Sequence, residues 1–281
     1  MSPDQYCQEK AVSSGSSFYY SFLLLAPEKR RAITALYAFC REVDDAVDEC
    51  SSEQLARTKL AWWRSEIQAT FAGQPRHPVG MALLPVVRRL DLKERPFHDI
   101  VDGMQMDLDQ QRFADFATLQ LYCHRVAGVV GQLSACIFGF SDARTLDYAH
   151  DLGLAFQLTN IIRDVGEDAR RDRIYLPLDE LDRFGVSADD ILRNKHSENF
   201  VRLMLHQAQR AKRYYEQALV ALPAADRKNQ RAGLAMAAIY RALLNEIERD
   251  GFNVLERKTS LTPLRKLWLA WKTWVLPSAP A

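Results

Sequence analysis

The stretch LAFQLTNIIRDVGED (residues 154–168) decides the fold class of this 281-residue chain. Its apolar residues recur at intervals of three or four, the period of one helix face: Leu154, Leu158, Ile161 and Val165. Polar residues follow the same period along a second side: Gln157, Asn160, Asp164 and Asp168. A polar stripe on a helix that is otherwise apolar is expected to face a cavity or a partner rather than open water.

The same helical period extends over most of the chain. Between Pro27 and Pro75 no proline interrupts another apolar stripe: Leu36, Phe39, Cys40, Val43 and Val47. Further helices are predicted at 53–71, 97–109, 115–138, 198–221 and 228–250, with turn residues clustered at breaks between them. No strand-like alternation of any length, internal repeat or linker divides the chain. The sequence therefore predicts one all-α domain over residues 1–281, with roughly ten helices.

Composition and charge exclude several classes of protein. The 37 Lys and Arg residues nearly balance the 36 Asp and Glu residues, which argues against a dedicated nucleic-acid-binding protein. Five cysteines without a CxxC pair favour scattered reduced thiols over a disulfide framework. No apolar run approaches the ~18 residues of a membrane-spanning helix. The apolar stretch 18–26 is too short, and too closely followed by Pro27 and charged residues, for a signal peptide. We expect a cytoplasmic protein.

A second acidic helix is predicted around REVDDAVD, residues 41–48. Asp44 and Asp48 project from the same helix face, with Tyr37 and Arg41 on the preceding turns of that face. Two carboxylates at this spacing repel each other unless a cation lies between them. Mg²⁺ takes oxygen ligands and is typically held by one or two carboxylates together with substrate phosphates. For this motif alone, a solvated charged face is an equal alternative.

The two acidic stripes lie about 120 residues apart, and arginines follow the second one closely: Arg163, Arg170, Arg171 and Arg173. Carboxylates that bind a metal, beside guanidinium groups that neutralise phosphate oxygens, are what a diphosphate site requires. The pair of motifs therefore predicts opposite walls of one cavity, and it makes the solvated-face interpretation the weaker one.

Three strings carry a resemblance to a known family: YAFCREVDDAVDE (37–49), YCHRVAGVVG (122–131) and QLTNIIRDVGEDARRDRIYLP (157–177). The chain resembles the squalene/phytoene synthases, which are head-to-head prenyl diphosphate synthases, from Tyr6 to its C-terminal region. Its likeness is greatest to the bacterial presqualene diphosphate synthases of hopanoid biosynthesis, as judged from residues 14–40 and 260–274.

The resemblance implies an isoprenoid synthase fold, with helices around a central cavity, and a role for each matching residue. The implied Mg²⁺ ligands are Asp44, Asp48, Asn160, Asp164 and Asp168. The implied diphosphate-binding residues are Ser17, Arg41, Arg163, Arg173 and Tyr175, and the residues implied in catalysis are Tyr122, Arg41, Tyr37 and Gln157. Asp45 fits the motif but points in a different helical direction. Asp102 and Asp107 have two interpretations, near the cavity or structural, and Ser14 stands where many relatives have histidine, so it is assigned no role.

The implied reaction condenses two farnesyl diphosphates to presqualene diphosphate and diphosphate, on the route to squalene and hopanoids. One alternative is a phytoene synthase, which uses geranylgeranyl diphosphate, and another is a full squalene synthase, which requires NADPH. A non-catalytic assembly subunit is disfavoured because both acidic motifs are intact. Downstream enzymes of the squalene pathway are the implied protein partners.

The C-terminal stretch 262–276 combines tryptophans with basic residues. Such a helix suits contact with a membrane interface, here the inner face of the cytoplasmic membrane. The alternative is a terminal helix that docks on the domain.

Overall fold

The computed structural model describes residues 1–13, 21–23 and 25–275. Within these ranges the chain forms helices and no strand, which confirms the predicted all-α fold. One turn of π-helix, His124–Gly128, joins the helices Phe116–Cys123 and Val129–Phe138. The helices are α1 (Pro3–Ser13), α2 (Pro27–Asp48), α3 (Glu53–Phe71), α4 (Pro78–Arg89), α5 (Arg95–Asp109), α6 (Phe116–Cys123), α7 (Val129–Phe138), α8 (Arg144–Ala169), α9 (Leu178–Phe184), α10 (Ala188–Leu192), α11 (Glu198–Ala221), α12 (Arg231–Arg249) and α13 (Pro263–Val275).

Local side-chain caps explain why the helix boundaries follow the sequence so closely. The Ser52 hydroxyl accepts a hydrogen bond from the backbone N–H of Leu55 (3.3 Å), and the Ser197 hydroxyl accepts one from Phe200 (3.2 Å). These caps satisfy backbone donors that the first helical turn leaves unpaired. As a result, α3 and α11 begin and end where the sequence predicts them.

Two groups of buried apolar residues form the interior. One surrounds α8, α11 and α12, and includes Leu158, Ile162 and Tyr215. The other joins α2 to α3, α4 and α5, and includes Phe39 and Phe97. Residues attached to both groups line the central cavity, which therefore lies where the two halves of the core meet.

Glycines allow α7 and α8 to approach each other closely along one wall of this cavity. A Cβ atom built on Gly131 would lie 2.1 Å from the carbonyl oxygen of Ala149, and one on Gly153 would lie 2.4 Å from that of Ala127. Both distances are far below van der Waals contact with rigid backbone. Only glycine permits this approach, which brings the π-turn beside the middle of α8.

The expectation that no segment is long and apolar enough to span a membrane is wrong for Phe116–Phe138. By length and composition alone, this helix passes the test for a membrane span. In the structure it is a wall of the domain: Val129, Leu133 and Ile137 are buried in the core, and Tyr122 lines the cavity. These contacts with the core and the cavity account for part of its apolar character.

The C-terminal helix α13 docks on α12 by one side and exposes the other. Arg265 donates a hydrogen bond to Glu246 of α12 (2.8 Å), and the guanidinium of Arg231 lies over the ring of Trp274. The outer side carries four apolar residues that are each more than half exposed: Leu264, Trp268, Trp271 and Val275.

Candidate active site

The central cavity has a volume of about 480 Å³ and is lined by side chains of both acidic helices. We call it the polar chamber. From α2 and α8 it is lined by Tyr37, Arg41, Asp44, Gln157, Asn160 and Arg163. The other walls include Tyr122 and Tyr240 and, from the loop before α13 and α13 itself, residues 258–261 and Lys266. Part of each predicted polar stripe thus meets across one space: Asp44 from α2, and Gln157 and Asn160 from α8.

On the α2 wall, Arg41 holds two neighbouring carboxylates. Its guanidinium donates to Asp44 (2.5 Å) and to Asp45 (2.5 Å), and Asp45 also pairs with Lys10 of α1 (2.7 Å). Asp44 faces the chamber, whereas Asp45 points toward α1, as its different helical direction requires. Burial raises the pKa of Asp44 to about 6, although the nearby Arg41 charge opposes the shift.

Asp48 links the end of α2 to the segment after α8. It accepts hydrogen bonds from Arg171 (2.8 Å) and Arg173 (2.7 Å). Neither Asp48 nor Arg173 reaches the lining of the polar chamber, so both lie at its edge. This cross-link holds the ends of the two acidic helices together.

Along α8, Asn160 lines the chamber, whereas Asp164 and Asp168 do not belong to its lining. The Oδ1 atom of Asn160 is buried without a hydrogen-bond partner, while its Nδ2 donates to Gln157 (3.4 Å). Asp164 accepts from the Nε atom of Arg163 (2.7 Å) and pairs with Lys258 (3.2 Å). Burial, together with the charge of Asp164, raises the pKa of Asp168 to about 7.

A buried carboxylate lies behind the chamber and contacts two of the predicted residues. Asp107 accepts hydrogen bonds from the hydroxyls of Tyr122 (3.0 Å) and Tyr175 (2.7 Å) and is 8% exposed. Burial raises its pKa to about 7 despite both hydrogen bonds. Asp102, by contrast, pairs with Arg64 (2.7 Å) on another side of α5. Tyr175 is thus turned toward Asp107 and does not line the polar chamber.

Two basic residues of the chamber, Lys258 and Lys266, are not among those predicted from the sequence. The predicted residue Ser17 lies outside the described residues. Lys258 pairs with both Asp164 and Glu167, and Lys266 of α13 lines the chamber near Arg163. These lysines follow α8 by about 90 residues or more, so no local pattern connects them with it. In the sequence, the basic residues that flank 259–264 are the feature that could indicate an anion site. Together with the neighbouring tryptophans, they instead suggest contact with a membrane.

The donor set of the chamber fits a hard divalent cation such as Mg²⁺. Among the described residues, no three carboxylate, histidine or cysteine side chains already form a metal-binding cluster. The acidic groups are instead paired with basic side chains. A bound cation would take the place of these basic side chains, which would then be free to pair with the diphosphate. The unpartnered Oδ1 of Asn160 is an oxygen ligand of the kind Mg²⁺ takes, in a place where a buried acceptor needs a partner.

A second, apolar cavity of about 200 Å³ continues from the polar one. We call it the apolar chamber. The two share five lining residues: Tyr37, Cys40, Val126, Gln157 and Asn160. Three phenylalanines line it, Phe22, Phe138 and Phe156, whereas Phe39 is buried in the core.

Comparisons with known proteins agree with this architecture. The chain is 37% identical over 269 residues to a chloroplastic phytoene synthase of an Oncidium hybrid cultivar, covering 94% of this chain but 64% of that protein. It is 36% identical to the 15-cis-phytoene synthase of Synechocystis sp., covering 95% of this chain and 84% of that protein. Thus the chain spans less than two thirds of the chloroplastic relative. The solved structure of a dehydrosqualene synthase superposes with a TM-score of 0.88 and 30% identity, covering 96% and 95% of the two chains.

A family model described as squalene/phytoene synthase matches residues 11–265, which include both acidic helices and the π-turn between them. With this match, the extent of the identity and the helical cavity, the chain belongs to the squalene/phytoene synthase family.

Proposed function

We propose that the protein condenses two farnesyl diphosphates head-to-head to presqualene diphosphate, with release of one diphosphate. The observation that carries this proposal is the continuity of the two chambers: a charged space suited to diphosphates opens directly into an apolar space suited to prenyl tails. A substrate with a charged head and a hydrocarbon tail matches that division.

In the polar chamber, basic side chains bind and orient the diphosphates. Arg41, Arg163, Lys258 and Lys266 supply the positive charge from three directions. Arg173 extends this set at the edge of the chamber. The family resemblance implies a diphosphate-binding role for Ser17 as well. Mg²⁺, when held by Asp44, Asp48, Asn160, Asp164 and Asp168, would supply the charge that stabilises the departing diphosphate.

When the diphosphate departs, the substrate becomes an allylic cation. The residues that line both chambers surround and protect this cation. Tyr37, Gln157 and Val126 stand at this junction. An apolar wall on one side excludes water, which would otherwise trap the cation. The second substrate's double bond then attacks C1 of the cation, and loss of one proton closes the cyclopropane ring.

The hydrogen-bonded pair of Tyr122 and Asp107 offers a route for that proton. Tyr122 lines the polar chamber, and its hydroxyl donates to the Oδ2 atom of Asp107. As the Tyr122 oxygen takes the proton from the cationic condensation intermediate, the electrons of the broken C–H bond close the cyclopropane ring, and the hydroxyl proton of Tyr122 passes to Asp107. A carboxyl group whose pKa is about 7 is well matched to accept it. The released diphosphate is the alternative acceptor.

A phytoene synthase that uses geranylgeranyl diphosphate is the second candidate. It is favoured by identities of 36–38% to phytoene synthases of plants and cyanobacteria. The solved dehydrosqualene synthase, at 30% identity over nearly the whole chain, keeps the squalene branch open. The two candidates share the chemistry and differ in tail length.

Product analysis of the purified protein separates these candidates. The protein is incubated with Mg²⁺ and either farnesyl or geranylgeranyl diphosphate, each with and without NADPH. Presqualene diphosphate that accumulates even with NADPH supports the proposal. Squalene formed only with NADPH would assign the reductive half-reaction to this chain as well, and phytoene alone would establish the second candidate. No condensation product from either substrate would refute the proposed function.

We also propose that the outer face of α13 contacts an anionic membrane surface from the cytoplasmic side. Its four exposed apolar residues recur at helical intervals: Leu264, Trp268, Trp271 and Val275. Lys272 lies over the ring of Trp268 on the same face. Exposed tryptophans beside lysine suit the interface between lipid headgroups and acyl chains, where charge and apolar area both contribute. A lipid surface would also receive the apolar product.

A further inference from the structure

We propose that Tyr148 is the end wall of the apolar chamber and sets the length of the prenyl tail that the protein accepts. The proposal rests on the proposed function and deepens it, because it assigns the choice between a farnesyl and a geranylgeranyl tail to a single side chain.

Two neighbouring helices define the long axis of the apolar chamber. Its lining extends along the π-turn and α7 from Val126 to Phe138, and along α8 from Asn160 back to Tyr148. Val126 and Asn160 also line the polar chamber, so they mark the entrance. Twelve positions separate the two ends on each helix. At 1.5 Å per residue, Tyr148 therefore lies about 18 Å from the entrance.

The chamber changes its chemical character at this far end. Along the walls most lining groups are apolar, and the hydroxyl of Ser134 is satisfied by the carbonyl of Val130 (2.7 Å). At the end, Gln230 donates to the carbonyl of Gly139 (3.0 Å), and the hydroxyl of Tyr148 is buried without a hydrogen-bond partner. A hydrocarbon tail offers no hydrogen-bond partner to that hydroxyl. A longer tail that reached past Tyr148 would therefore leave the buried hydroxyl without a partner.

The phenol ring cannot withdraw to make room for a longer tail. A Cβ atom built on Gly233 of α12 would lie 2.6 Å from the Tyr148 hydroxyl oxygen, so the ring already reaches the α12 backbone. Tyr148 is 1% exposed and belongs to the α8 core cluster. In a close-packed interior, moving such a ring would displace its neighbours as well. Tyr148 is therefore a rigid stop.

Three substitutions test this stop in the full-length protein. Tyr148→Leu removes the ring, Tyr148→Phe keeps the ring and removes only the hydroxyl, and Gly233→Ala pushes the ring toward the chamber. The measured quantity is the ratio of kcat/KM for geranylgeranyl diphosphate to kcat/KM for farnesyl diphosphate, with Mg²⁺ present.

We expect Tyr148→Leu to raise this ratio at least about tenfold, since even one methylene group in an apolar pocket changes discrimination by about that factor. Tyr148→Phe should leave the ratio within about twofold of the wild type, because the ring still closes the chamber. Gly233→Ala should lower the ratio. Should Tyr148→Leu fail to fold, the opposite shift expected for Gly233→Ala decides the question.

Failure of this inference is distinguishable from failure of the proposed function. A wild type that condenses neither substrate refutes the proposed function. A wild type that prefers farnesyl diphosphate, combined with an unchanged ratio in both Tyr148→Leu and Gly233→Ala, overturns the end-wall role alone. A wild-type preference for geranylgeranyl diphosphate would likewise overturn the exclusion of the longer tail by Tyr148.

Discussion

The two chambers of this protein share five lining residues but are built on opposite physical principles. In the polar chamber, charged groups are numerous and already paired, as Arg41 is with Asp44 and Lys258 is with Asp164. In the apolar chamber, charged side chains are absent from the described lining, and its one unpartnered polar atom apart from the shared Asn160 is the hydroxyl of Tyr148.

This difference shows how one cavity can hold a charged head and a hydrocarbon tail. In the polar chamber, ion pairs with basic side chains neutralise the charge of the carboxylates. When a metal ion and a diphosphate bind, the metal replaces the basic side chains as the partner of the carboxylates, and the diphosphate becomes the new partner of the basic side chains. The apolar chamber would bind a hydrocarbon tail through its shape and the exclusion of water. The close packing at Gly131 and Gly153 and the ring of Tyr148 provide that shape. The first space should therefore be sensitive to loss of charge, and the second to changes in volume.

The largest expected effect is loss of turnover when a carboxylate of the acidic helices is neutralised. Asp44→Asn and Asp164→Asn should each lower kcat/KM at least about 10²–10³-fold, because the charge that holds the metal and diphosphate is lost. Steady-state kinetics measures this effect, and circular dichroism checks that the fold is retained. Asp147→Asn, on an exposed position of α8, is the control. Near-normal turnover in either variant would contradict the assigned metal site.

A second prediction concerns the wall of the apolar chamber. Gly131→Ala should lower the free energy of unfolding by about 1–3 kcal/mol or more, because the new Cβ atom would meet the carbonyl of Ala149. Denaturant titration measures the change. Ser134→Ala is the control on the same helix, since its hydroxyl bonds only to its own helix. Equal stability of Gly131→Ala and the wild type would show that α7 and α8 can separate at little cost.

The third prediction isolates the buried carboxylate behind the polar chamber. Because burial raises the pKa of Asp107 from 3.8 to about 7, the folded state retains a proton that the unfolded state loses between about pH 4 and 7. This group's contribution to stability is therefore present at low pH and is lost as pH rises through 7.

Asp107→Asn removes that titration. The free energy of unfolding of the variant, relative to the wild type, should increase by about 3 kcal/mol from pH 4 to pH 8. Thermal or denaturant unfolding at both pH values measures this difference, with Asp102→Asn on the same helix as the control. A difference that does not change with pH would show that Asp107 is ionised in the folded protein throughout that range.

The smallest expected effect lies outside both chambers, on α13. The double substitution Trp268→Ala and Trp271→Ala should reduce binding to anionic liposomes about fivefold, as apolar interfacial area is lost. Turnover in detergent should not change. Trp62→Ala, which removes another partly exposed tryptophan, is the control in the flotation assay. Unchanged lipid binding of the double variant would end the membrane proposal.

Much of the fold was predictable because its signals are local. Ser52 and Ser197 cap helices within three residues of themselves, so α3 and α11 could be delimited from neighbouring letters alone. The continuous helix through the π-turn could be predicted in extent, but not its close contact with α8. That contact depends on Gly131 facing Ala149, and no local sequence pattern shows which residues of two different helices face each other.

The candidate site divides in the same way. Helical period alone indicated that Asp44, Gln157 and Asn160 would face one space, and all three line the polar chamber. The same period also indicated Asp48, Asp164 and Asp168, which are absent from that lining. It did not indicate that Tyr175 would turn toward the buried Asp107, since that contact joins residues far apart in the chain.

Most of the long helices, much of the polar face of each acidic helix and the family resemblance could be recognised from the amino-acid sequence, whereas the helices α1, α4, α9 and α10 were not among the predicted stretches. The helices and their polar faces depend on residues three or four positions apart, and this spacing can be recognised directly in the amino-acid sequence. The pairing of the charges, the approach of Lys258 and Lys266 to the site and the position of Tyr148 in the lining of the apolar chamber became visible only in the packed helices. Ion pairs and cavity volume depend on distances between residues that the chain brings together only when its helices pack.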